Sequence, residues 1–96
     1  MSTAGIARSQ RSATPCVVSL LDGGGEVAAS IADVSAPALE LTPAVVQLHA
    51  ADIGRCQLLV LDANLGQATL AAAVAAAAAA GVRVLFEPVS VPKAAR

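Results

Sequence analysis

The sequence predicts an α/β fold, a β-hairpin followed by a β-α-β unit of a parallel sheet, that forms only part of a larger domain. Three observations carry this prediction. Short β-branched and apolar runs begin at Cys16, Leu58 and Val82, with the length and composition of strands. The stretch Gln67 to Ala80, mostly alanine, separates the second run from the third and has the strongest intrinsic helix preference available. Gly23-Gly24-Gly25 falls between two strand-like segments, where glycine supplies positive φ at no steric cost.

Taken in order, Cys16 to Leu21 (CVVSLL) is the first strand and Glu26 to Ala32 (EVAASIA) its return. Asp33 to Leu41 holds Pro37 among small residues and reads as a connection. Thr42-Pro43 is a helix start, with a hydroxyl to cap free N–H groups and a proline where its missing N–H costs nothing. Val45, Val46, Leu48, His49 and Ile53 then recur at helical spacing, and Gly54 ends that single helix. Leu58 to Leu61 (LLVL) is continuous and apolar, as suits a strand buried on both faces. Gly81 sits where a helix ends in left-handed backbone. Val82 to Phe86 (VRVLF) is the last strand, and Pro92 to Arg96 opens a further helix.

Strand, helix and strand within this span form a right-handed crossover, so the two strands are parallel and their carboxyl ends share one edge. Ligands of open α/β sheets bind at that edge. One strand brings Asp62-Ala63-Asn64 to it, the other Glu87-Pro88-Val89-Ser90 with Lys93 just beyond. Asp62 and Asn64 suit a ligand hydroxyl, or else a turn, with Asp62 as a cap and Asn64 in left-handed backbone. Lys93 suits a phosphate, or else stands solvated on a helix. Ser90-Val91-Pro92-Lys93 also fits the Ser-x-x-Lys pattern of acyl-transfer enzymes, but the companion motifs of those enzymes are missing.

Composition excludes several classes. The chain has 96 residues, 56% of them apolar, with Phe86 its single aromatic residue. Alanine buries little area, so any core is thin. A net charge of −1 gives no attraction to nucleic acid or anionic membrane. The longest apolar run, Leu70 to Val82, is shorter than the roughly 20 residues that span a bilayer. Cys16 and Cys56 form no CxxC or Cys/His cluster and read as two buried free thiols. Glu26 follows the glycine run where a phosphate-binding loop needs lysine, so that run is a turn. His49 reads as a structural or surface histidine with no carboxylate partner. Residues 1–14, with Arg8, Arg11 and no acid, read as a disordered leader ahead of a partial domain over 15–96. They also carry the bias of an organelle transit peptide, so the expected location is the cytoplasm or, on that alternative, an organelle.

Several of these segments resemble the middle of PfkB-type carbohydrate kinases. They are Leu59 to Leu65, Thr69-Leu70, the alanine helix, Gly81 to Val84, and Glu87 to Ala94. The branch that they look most like is that of the pseudouridine kinases, in which a strand ending Asp-x-Asn-Leu precedes a helix and the next strand ends Pro-Val-Ser-x-x-Lys. Leu20-Leu21-Asp22, Ser30 to Val34 and Leu41-Thr42-Pro43 are similar to that branch's upstream hairpin and Leu-Thr-Pro segment. The resemblance runs in unbroken order from about Pro15 to Arg96. It implies a partial ribokinase-like sandwich, with Cys16 to Ala32 in its edge or lid-proximal strands. It implies an ATP- and Mg2+-dependent transfer of phosphate to a sugar or nucleoside hydroxyl, with Asp62, Asn64, Ser90 and Lys93 toward the substrate. The family's N-terminal Gly-Gly substrate motif has no counterpart here, since Gly23-Gly24-Gly25 reads as a hairpin turn, and its Asn-x-x-Glu and Gly-Ala-Gly-Asp motifs do not occur in these 96 residues. No catalytic residue of the family therefore carries over, and the chain by itself is expected to be inactive. A non-enzymatic α/β interaction module or a decayed gene product is the alternative. Expected partners are a small nucleoside or sugar in a full-length protein, and other copies through open sheet edges.

Overall fold

The computed structural model describes residues 5, 6 and 8–94. The chain divides into two compact units, Met1–Ala36 and Pro37–Arg96.

The first unit is a hairpin. Strands β1 (Cys16–Leu21) and β2 (Val27–Asp33) pair antiparallel, with Cys16 opposite Asp33 and Ser19 opposite Ser30. The register slips between Leu20 and Leu21, where β2 carries one extra residue. The turn follows from its residues. Asp22 accepts two backbone N–H groups on Oδ1, from Gly24 at 2.8 Å and Glu26 at 3.1 Å, and Gly25 takes a φ of 85°. Of the earlier residues, 1–4 and 7 lie outside the described set, and 8–15 form no strand or helix.

A helix not expected from the sequence follows β2. Helix α1 (Ser35–Glu40) occupies the stretch read as a connection. Asp33 starts it by accepting both the backbone N–H and the hydroxyl of Ser35 on Oδ1. Pro37 is only the third residue of the helix, where an N–H would have no intrahelical partner, so it does not break it.

The second unit contains the β-α-β element. Helix α2 (Pro43–Leu48) begins as expected, with Thr42 Oγ1 accepting from the Val45 N–H. The single helix read over 43–53 is two. Backbone φ and ψ at His49 move to −103° and 13°, and α3 (Ala50–Gly54) restarts from it. His49 is exposed and does have a carboxylate partner, its Nδ1 lying 3.1 Å from Asp52 Oδ2. Strand β3 (Leu58–Asp62), helix α4 (Gln67–Ala79) and strand β4 (Arg83–Glu87) then follow. The strands are parallel, and Asp62 pairs with Glu87 at their carboxyl ends. Gly81 closes α4 with a φ of 69°. The short helix α5 (Val91–Ala94) comes last; Ala95 and Arg96, which the sequence reading placed in it, lie outside the described residues.

The core of this unit centres on α4, which packs against α2, α3 and the sheet. Ala73 and Ala77 of α4 are buried, as are Leu61 of β3 and Ala63 just after it. Thr69, one turn before Ala73, is buried too and donates its hydroxyl to the Leu41 carbonyl at 2.7 Å. That bond ties the start of α4 to the segment entering α2. Alanine lets backbones approach closely, and a Cβ on Gly54 would stand 3.4 Å from that of Ala80. The expectation that β3 is buried on both faces fails. Leu59 and Leu61 face the helix layer, whereas Val60 and its neighbour Leu85 remain 60% and 55% exposed. One apolar run fits one covered face as well as two. The expected burial of the thiols fails as well: Cys16, on the wholly exposed strand β1, and Cys56, in the loop between α3 and β3, are both free and exposed.

Candidate functional site

Three of the four residues singled out at the sheet edge come together. β3 ends at Asp62, and the chain turns at once because Asp62 Oδ1 accepts the Asn64 backbone N–H at 2.8 Å. The Asn64 amide nitrogen donates to Asp62 Oδ2 at 3.3 Å. Its carbonyl oxygen accepts from Lys93 Nζ at 2.7 Å, across 29 positions of sequence. A carboxylate, an amide and an ammonium thus form one hydrogen-bonded chain. The strand ladder continues into it, since the Ala63 N–H donates to the Glu87 carbonyl at 3.0 Å.

Both readings of Asp62 and Asn64 meet here. Asp62 makes the turn expected of a structural aspartate, but α4 takes Gly66 as its N-cap, and Asn64 is not in left-handed backbone. Lys93 is part-buried and bonded, not solvated. Ser90 is exposed and takes a different part. Its carbonyl accepts the N–H groups of Lys93 and Ala94, which starts α5, and its hydroxyl joins no hydrogen bond among the described residues. Since Lys93 reaches Asn64 and not Ser90, the Ser-x-x-Lys pair is not assembled as an acyl-transfer couple.

Two further residues shape the edge. Glu87 Oε1 accepts the Val89 N–H at 2.9 Å. Val89 itself has a φ of 63°, the sole positive φ outside glycine among the described residues. The sequence contains no signal for it, because a β-branched residue is among the least suited to that conformation.

Chemically, the edge offers donors and acceptors side by side. An ionised carboxylate has about four lone-pair sites, and the Asp62 turn uses two of them. An ammonium has three N–H donors, and Asn64 takes one. The arrangement can hold a polyhydroxylated or anionic ligand. Among the described residues no group of three His, Cys, Asp or Glu side chains is placed to hold a metal ion. No helix among them is long and apolar enough to cross a membrane. A shallow groove elsewhere is lined by Gln47, Ala50, Ala75, Ala76, Ala79 and Ala80, with Gln47 its one polar side chain.

Fold and edge together define an α/β element with a polar end at the carboxyl edge of its parallel strands. Comparison with known proteins is more specific. A curated pseudouridine kinase of Arabidopsis thaliana is 43% identical over 96 residues, the whole of this chain. The chain spans about a quarter of that relative's length. No family model matches the sequence.

Proposed function

We propose that these residues form one wall of the substrate pocket of a PfkB-type nucleoside kinase with a ribokinase-like fold, acting on pseudouridine or a related sugar hydroxyl. The observation that carries this reading is the Lys93–Asn64–Asp62 chain at the carboxyl edge of two parallel strands, in a sequence resembling a pseudouridine kinase throughout. The Asp62 carboxylate accepts from ribose hydroxyls, and the Asn64 amide both donates to and accepts from them. Lys93 stands by as a positive charge, and Ser90 offers its exposed hydroxyl. ATP and Mg2+ enter through the family alone. These 96 residues contain no Gly-Ala-Gly-Asp or Asn-x-x-Glu segment to supply the base, anion hole or metal contacts that phosphoryl transfer requires.

The test has two arms. The chain alone is expected to transfer no phosphate from ATP to pseudouridine, and turnover by the purified chain would overturn its role as a wall only. Titration with pseudouridine is expected to shift the NMR signals of the Asn64 amide group and the Lys93 side chain. Shifts confined to the opposite end of the strands would remove this edge from consideration.

A further inference from the structure

The chain reverses between β4 and α5 at Pro88-Val89-Ser90, and the Ser90 N–H donates back to the Pro88 carbonyl at 2.6 Å. A three-residue hydrogen bond around a central residue with φ of 63° is a γ-turn of the rare, strained hand. Val89 is 46% exposed, so burial of its side chain does not explain why it holds this conformation. Hydrogen bonds on both sides do. Upstream, the Val89 N–H is held by the Glu87 carboxylate. Downstream, the Ser90 carbonyl takes the N–H groups of Lys93 and Ala94, and Lys93 Nζ is fastened to Asn64 on the other strand's turn.

We infer that Val89 is a strained hinge and the Lys93–Asn64 hydrogen bond its latch. The γ-turn directs α5 so that Lys93 reaches Asn64, and that bond keeps the turn closed. The magnitudes match. Strain at a non-glycine residue of this kind favours opening by roughly tenfold to a hundredfold. A hydrogen bond from an ammonium opposes it by a similar factor. Two opposed effects of equal size make an element with two accessible arrangements, and the latch decides between them.

Hydrogen exchange of the 96-residue chain, resolved to single amides, tests this. Lys93→Met is expected to speed exchange at Ser90, Lys93 and Ala94 on the order of tenfold, with the β3–β4 ladder amides unchanged. Adding Val89→Gly to the Lys93→Met chain is expected to restore most of that protection, because glycine takes positive φ without strain. Three results would each overturn the inference. One is unchanged exchange in Lys93→Met. Another is equal loss across the ladder, which would make the lysine a support of the sheet and not of the turn. The third is failure of Val89→Gly to rescue.

Discussion

Replacing Thr69 by valine keeps the shape of the side chain and deletes one hydroxyl. That hydroxyl is 2.7 Å from the Leu41 carbonyl, in a side chain that is 4% exposed. The net contribution of such a bond is about 1 kcal/mol, and leaving its acceptor unpaired beside a buried position raises the loss to about 1–2 kcal/mol. Thr69→Ser keeps the bond and loses a methyl group, about 0.8 kcal/mol. Thr69→Ala loses both, about 2–3 kcal/mol. The assay is urea unfolding followed by far-ultraviolet circular dichroism at one fixed protein concentration, so that any association weighs equally on every variant. With a slope near 1 kcal/mol/M, typical of a small unit, the valine variant's midpoint falls by about 1 M or somewhat more. A valine variant as stable as the parent, beside a weaker serine variant, would refute the argument. Methyl packing, and not the hydroxyl, would then hold the start of α4.

Further predictions concern charge and the open sheet. The hydrogen bond from His49, with the Arg55 charge second, lowers the Asp52 pKa below the ordinary carboxylate value. A native pKa below the unfolded one gives stability that is complete above about pH 4 and is lost as pH falls through the lowered value. Asp52→Asn should therefore narrow the difference between thermal midpoints at neutral and strongly acid pH; an unchanged difference would show that the trio does not act in folding. The exposed pair Val60 and Leu85 should drive self-association as concentration rises. Light scattering after size exclusion should show smaller species for Val60→Lys with Leu85→Lys than for the parent. A parent chain that stays monomeric with a sharp thermal transition would contradict this.

The sequence revealed the skeleton of the β-α-β unit because its signals are local. The alanine stretch admits only a helix, Gly81 marks its end, and Thr42-Pro43 marks the start of α2. The edge was legible because residue types at strand ends are, and Asp62, Asn64 and Lys93 do meet. What failed to show depends on context. Pro37 reads as a breaker unless its place in the first turn of α1 is known. The break at His49 and the exposure of Val60 depend on what packs alongside, which periodicity does not encode. Val89 runs against its own residue preference, so only the surrounding hydrogen bonds account for it.

The proposed wall of a nucleoside-kinase pocket is tested most directly by exchange. These 96 residues would replace the matching quarter of the Arabidopsis thaliana pseudouridine kinase. The account predicts that the chimera transfers phosphate from ATP to pseudouridine. It also predicts that Asn64→Ala within it raises KM for the nucleoside by roughly tenfold or more, as loss of a charge-assisted hydrogen-bond network requires. A folded chimera without turnover, or one indifferent to Asn64→Ala and Lys93→Met alike, would contradict it.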